Sequence, residues 1–229
     1  MKNAIASMAL LVALSTPGAA SAQQPEQPIT ADIIYLYRIP QNTSDKSGKE
    51  TNITKLKAAM RSQRPDDKII FLKDLTDPTN YITITQGPYS NRSNQSGWDT
   101  SLVKDMTNKL PGSRAFVLNS TLLTGDTELN VDSNTFVVIE HVDSDPKKRE
   151  MNLPLFEELQ RDLENMPGFK SLQVWTWNQR TNHWTVIETW ENAESHRRAN
   201  RSPKLLNLWD KIYGNAAAPN NESAYRLVD

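Results

Sequence analysis

The chain of 229 residues contains no cysteine. That absence excludes disulfide staples, cysteine nucleophiles, thiolate metal sites and thiol redox chemistry at once. Glycine is scarce, at 8 residues, and neither a Gly-rich phosphate loop nor a Gly-x-Ser-x-Gly elbow occurs. There are 3 histidines and no His-x-x-x-His spacing, so no local metal motif is present and no metal or cofactor is expected. Neither sign of charge dominates: 26 Lys and Arg face 27 Asp and Glu. That balance argues against a nucleic-acid partner held by electrostatics. A hydrophobic content of 37% and a mean hydropathy of -0.62 exclude a polytopic membrane protein.

The one apolar run is at the start. Lys2 precedes an apolar stretch from Ala4 to Leu14, Pro17-Gly18 breaks it, and Ala20-Ser21-Ala22 forms an A-x-A cleavage site before Gln23. The pattern predicts a secretory signal peptide over residues 1–22. The run is too short for a bilayer, which takes about 20 apolar residues. A periplasmic or secreted protein with no membrane span is therefore expected. Residues 23–30 are polar and carry two prolines, which predicts a flexible leader.

Beyond the leader the chain reads as two units, 31–130 and 131–229. In the first, Asp32–Tyr37 is rich in β-branched and aromatic residues and predicts a strand. Ile53, Leu56, Ala59 and Met60 recur at helical spacing. Lys68–Lys73 and Tyr81–Thr85 read as a hairpin around Asp77-Pro78-Thr79-Asn80, Ser96 caps a helix reaching Leu110, and Arg114–Leu122 reads as a fourth strand. In the second unit, Thr135–Val142 is a strand, and Phe156, Leu159, Leu163 and Met166 mark a helix stopped by Pro167-Gly168. Lys170–Trp177 and His183–Trp190 form a hairpin, one long helix spans about Ala193–Tyr213, and Tyr225–Val228 closes the unit.

Each unit is thus β-α-β-β-α-β, the ferredoxin-like order. Thr79–Ile84 echoes Thr181–Val186 at an offset of 102 residues, and the same offset lays Asp32–Tyr37 on Asn134–Ile139. A ferredoxin-like unit leaves one sheet face bare. The expected fold class is therefore α+β: tandem ferredoxin-like units whose bare faces pack together as an intramolecular version of a dimeric α+β barrel. The chain is then a monomer with its barrel inside one molecule, or a homodimer.

Three motifs of the second unit carry a family resemblance: Pro167-Gly168-Phe169, Glu188-Thr189-Trp190, and Ser202-Pro203 beyond them. In order and spacing this half resembles the antibiotic biosynthesis monooxygenase family of dimeric α+β barrels. The resemblance covers about Asn134–Val228 and implies a fold and a pocket. It implies a reaction less firmly. Many members place a His four residues before the Ser-Pro proline, and this chain has Ala199 there. The haem-degrading branch places an Asn on the first strand, and Thr135–Val142 has none.

Glu188 lies in a strand beside Trp184 and Trp190, where burial would raise its pKa and make it a base. His183 begins that strand and His141 ends another, as rim residues do. His196 sits among Arg197, Arg198 and Arg201, in what reads as a solvated helix face. Alternation puts Trp175 and Trp177 on one sheet face. The candidate catalytic residues are Glu188 or His183, and the candidate substrate-binding residues are Trp175, Trp177, Trp190 and His141. The expected partner is a small hydrophobic or aromatic molecule. Three functions stay open: a cofactor-independent oxygenase or isomerase, a non-catalytic binding or structural protein, and a haem-binding protein.

Overall fold

The structure is a computed structural model that describes residues 28–40, 52–87, 107–110, 112–218 and 221–228. The expected signal peptide over 1–22 and most of the helix expected over 96–110 lie outside the described residues.

Along the first strand, β1 (Thr30–Tyr37), Ile33 and Tyr35 alternate with Ile34 and Leu36, and all four are buried. A strand buried on both faces needs a layer on each side. Ile33 and Tyr35 face a barrel interior, whereas Ile34 and Leu36 join Leu56 and Met60 of helix α1 (Asn52–Gln63) outside it. The unit continues with β2 (Lys68–Asp74), β3 (Tyr81–Gly87) and β4 (Arg114–Gly125). The second unit runs β5 (Phe136–Asp143), α2 (Arg149–Leu163), β6 (Phe169–Trp177), β7 (Arg180–Trp190), α3 (Ala193–Ala199), α4 (Pro203–Gly214) and β8 (Asn221–Leu227).

The eight strands close an antiparallel barrel in the order β1-β3-β2-β8-β5-β7-β6-β4. Each unit contributes the ferredoxin-like order, β4-β1-β3-β2 and β8-β5-β7-β6. The expected tandem architecture is the one the chain adopts. Two seams join the units. One pairs Leu72, Lys73 and Asp74 with Leu227, Arg226 and Tyr225. The other runs from Ser120↔Trp177 to Gly125↔Gln173. Gly125 has φ +103°, and a Cβ there would lie 2.3 Å from the Leu172 carbonyl oxygen, so the second seam requires glycine.

The barrel interior mixes residues of both units. Ile33, Ile70, Leu72, Ile82 and Ile84 of the first pack with Val137, Ile139, Trp175 and Ile187 of the second. Outside the barrel, α2 and α4 cover the second unit over Phe156, Leu159, Trp184, Trp190, Leu205 and Ile212.

Two details differ from the sequence reading. The single helix over Ala193–Tyr213 is two. Ser202 precedes Pro203 and takes an extended conformation, φ -67° and ψ 121°, because the proline ring disfavours the helical region for the residue before it. Pro203 then starts α4, where its missing N–H costs nothing. The echo at offset 102 also does not survive in three dimensions. It lays Ile82 and Ile84, which face the barrel interior, on Trp184 and Val186, which face the helices. The shared spelling is not a shared register.

Candidate functional site

At one end of the barrel, side chains from five strands surround a cavity of about 440 Å³. β1 supplies Tyr35 and Tyr37, β4 supplies Phe116 and Leu118, β5 supplies His141, and β6 supplies Trp177. Arg180, His183 and Thr185 come from β7. The walls are aromatic. The rings of Tyr35 and Tyr37 lie 6.2 Å apart and near parallel. Phe116 meets Trp177 edge-on at 6.0 Å, and Trp177 meets His183 edge-on at 5.8 Å. The Arg180 guanidinium sits 5.5 Å over the Trp177 ring, within cation–π range.

The polar groups of this cavity are few and specific. His183 Nε2 lies 3.0 Å from Asp143 Oδ1. Desolvation lowers the His183 pKa, Asp143 works against that, and the Arg180 charge adds to it. His183 is therefore neutral at pH 7 and able to accept a proton. His141 is also lowered, first by desolvation and then by His183, and its Nδ1 lies 3.4 Å from Thr185 Oγ1. Burial holds the Tyr35 phenol well above its usual range, so it stays a donor. The Tyr35 hydroxyl, near Thr185, and the Trp177 indole N–H are buried with no partner at ordinary hydrogen-bonding distance. A buried donor left unpaired costs about 1–3 kcal/mol. Neither atom is open to the cavity, so a bound molecule reaches them only if the wall shifts.

The candidate residues divide between the two faces of the sheet. His141, Trp177 and His183 meet at the cavity. Trp175 shares their face one pleat deeper, fully buried, with its indole N–H donating to Gln173 Oε1 at 3.1 Å. Glu188 and Trp190 lie on the helix-facing side, where Trp190 Nε1 donates to Glu188 Oε2 at 2.9 Å. α3 roofs them: the His196 ring lies 5.6 Å from that of Trp190. Trp190 is 0% exposed and Glu188 3%. His196 is thus buried rather than on a solvated face.

This side is a dry polar cluster. Desolvation pushes Glu188 up to about 7, opposed by the Trp190 bond. Desolvation, then the Glu188 charge, pushes Glu140 up to about 8, although Tyr213 donates to its Oε2 at 2.6 Å. Burial brings His196 down to about 4. The 4.0 Å approach of His196 Nε2 to Glu188 Oε2 is accordingly not an ion pair, because the imidazole is uncharged. Among the described residues, no three His, Asp or Glu side chains are arranged to hold a metal ion.

Sequence reasoning missed Tyr35, Tyr37, Phe116, Asp143, Arg180 and Thr185. One signal was available for part of this. The interval from His183 to Glu188 on one strand is odd, so alternation puts the two candidate bases on opposite faces.

Residues 135–208 match a family model described as antibiotic biosynthesis monooxygenase. No curated protein matches the sequence. Among solved structures, a candidate monooxygenase from Lactobacillus acidophilus is similar with a TM-score of 0.62 at 17% identity, covering 89% of this chain and 94% of that one. An anthrone oxidase-like protein is similar with a TM-score of 0.60 at 12% identity, over 89% and 92% of the two chains. The haem-degrading enzyme of Listeria monocytogenes gives a TM-score of 0.54 at 10% identity, over 86% and 98%. Identities this low show the fold alone. They show it for both units, well beyond the segment that the family model spans. No helix among the described residues is long and apolar enough to cross a membrane.

Proposed function

We propose that the antibiotic biosynthesis monooxygenase domain of residues 135–208 works with the N-terminal unit as one exported, periplasmic or secreted protein. It binds a small aromatic molecule at the barrel mouth and deprotonates it at His183. The observation that carries this reading is the His183–Asp143 pair at 3.0 Å in the wall of an aromatic cavity.

With Nε2 donating to Asp143, Nδ1 is the basic nitrogen of His183, and Asp143 stabilises the imidazolium that forms. Trp177 and Phe116 hold the ring. In an oxygenase the carbanion adds dioxygen, the peroxide takes the proton back from His183, and loss of water with cleavage of the O–O bond leaves the quinone; in an isomerase the carbanion is reprotonated elsewhere, and no bound cofactor takes part.

A C–H acid tests this. Incubating the full chain with anthrone and oxygen, and following anthraquinone formation, should give turnover above the protein-free rate. His183→Gln should lower that rate at least about tenfold with little change in Tm. Turnover no faster than the control, or unaffected by His183→Gln, sinks the reading.

A binding protein without catalysis is the second reading, and Ala199 in place of the family's His favours it. It expects aromatic ligands to bind and the anthrone rate to stay at the control value. Haem does not fit the helix-facing side of the second unit, because the rings of Phe136, Phe169, Trp190 and His196 fill it against one another.

A further inference from the structure

A second cavity, of about 570 Å³, adjoins the first, and Tyr37 and Phe116 form the partition between them. Both side chains are unusually open for their type, at 40% and 50% exposure. Beyond them stand Arg38 and Arg114, with Asn80 and Asp77.

The backbone at Arg38 is held in an uncommon state. Its φ is +56°, the left-handed region that a long side chain seldom adopts. Two hydrogen bonds keep it there: the Arg38 N–H donates to Asn80 Oδ1 at 3.1 Å, and Ser113 Oγ donates to the Arg38 carbonyl at 2.8 Å. Strain of this kind persists where surrounding contacts over-determine it, and it gathers at binding sites.

The charges around the two cavities are unequal. Among the described residues that line them, Arg38, Arg114 and Arg180 stand against Asp77 alone, with Asp143 behind His183 and Asp74 acting on Tyr37. All three carboxylates are already engaged, Asp74 by the N–H and hydroxyl of Thr76, Asp77 by those of Thr79 and by the Arg38 charge, and Asp143 by His183 and Asn182. No ion pair among the described residues holds Arg38, Arg114 or Arg180. The unspent charge at this rim is positive.

We propose that the barrel-mouth site takes a flat aromatic ligand bearing an anionic group, with the ring against Trp177 and Phe116 and the anion held by Arg180 and Arg114. The proposal rests on the cavity being a ligand site, and it adds the charge and the orientation of the ligand. Arginine suits the task because its guanidinium stacks on aromatic faces and presents a planar fork of donors to a carboxylate or sulfonate.

The test uses two dyes with one ring system, 1-anilinonaphthalene-8-sulfonate and uncharged N-phenyl-1-naphthylamine, titrated into the full chain with fluorescence readout. The sulfonate should bind at least about tenfold more tightly at low salt, and added salt should weaken it alone. Arg180→Gln and Arg114→Gln should each lower sulfonate affinity about three- to tenfold and leave the neutral dye unchanged. Trp177→Ala should weaken both dyes. Equal affinity for the two, or arginine variants that affect both alike, overturns the anion assignment and leaves the cavity reading intact. If neither dye binds, or Trp177→Ala changes neither, the cavity reading fails and this proposal with it.

Discussion

Between the two units the strand order is the same, yet the second holds Trp175, Trp177, Trp184, Trp190 and Trp209, and the described part of the first holds no tryptophan. On its helix-facing side the second unit packs Phe156 edge-on to Trp184 at 5.1 Å and stacks Trp209 on Tyr213 at 5.1 Å. The described helix-facing core of the first unit is smaller, formed by Ile34, Leu36, Ile39, Leu56, Met60, Phe71 and Tyr81. Three further aromatics of the first unit go elsewhere: Tyr35, Tyr37 and Phe116 line the cavity. The domain that matches the family is thus filled on its helix side by its own aromatics. The available space lies where the two units meet, so the less recognisable half is part of the site.

The strongest way to break this comparison is to remove one unit. Residues 131–229 expressed alone should lose the native fold, because Val137, Ile139, Trp175 and Ile187 would face water. That surface exceeds the few hundred Å² of apolar patch that a monomer tolerates. A soluble, cooperatively melting monomer of this fragment would show that the shared interior is dispensable.

A smaller blow falls on one seam. Gly125→Ala places a Cβ 2.3 Å from the Leu172 carbonyl oxygen on a backbone with φ +103°. It should cost about 3 kcal/mol or more, seen as a lowered Tm. Gly112 has φ +78° with open space around it, so Gly112→Ala carries the backbone penalty without the clash and should cost less. Equal losses would mean that the close approach across the seam relaxes freely.

The helix-facing carboxyls give the second unit a pH dependence of its own. Glu140 at about 8 and Glu188 at about 7 lie above their unfolded values near 4.5. The folded state then binds the extra protons, so the stability these groups add is present at low pH and is lost as pH rises through 7 and 8. His196, at about 4 against 6.5 unfolded, acts in the opposite sense, mainly below 6.5. The clear window is therefore pH 6.5 to 8, where stability should fall by roughly 1–2 kcal/mol. Denaturant titrations at the two ends measure it. Glu140→Gln should flatten the slope and raise stability at pH 8, and an unchanged slope would remove Glu140 from the account.

Much of this architecture was legible beforehand, for reasons that particular residues show. Ile33, Tyr35, Val137 and Ile139 are apolar at alternating positions whatever surrounds them, so the strands could be read locally. α2 ends at Leu163, three residues short of the Met166 read into it, and Pro167-Gly168 turns the chain just beyond, with Gly168 at φ +83°. The break at Ser202-Pro203 was equally local and was read through, because the apolar spacing of Leu205, Trp209 and Ile212 continued past it. The site was legible only in part. His141, Trp177 and His183 stood out by residue type, but Tyr35 and Phe116 look like ordinary strand residues. They line a site only because barrel closure pairs β1 with β4 and β4 with β6. Alternation separates the faces of a strand without saying which one is enclosed. That is decided by the other unit.

The finest test contrasts two histidines, one on each face. His196 is held neutral by burial under α3. His183 at the barrel mouth is 26% exposed and feels Asp143 and Arg180 as well as desolvation. Replacing Asp143 with Asn removes the one influence that raises the His183 pKa, so it should titrate at lower pH than in the native chain, while His196 stays where it was. Stability should change by less than about 1 kcal/mol, since the pair is partly in water. NMR titration of the two imidazoles reads both positions in one sample. If His183 is the base, the acid limb of the anthrone rate profile should move down in pH with its imidazole, because the neutral form then persists to lower pH. A limb that stays fixed while the imidazole moves would separate the proton acceptor from His183. An imidazole that does not move at all would remove Asp143 from the electrostatics of the cavity.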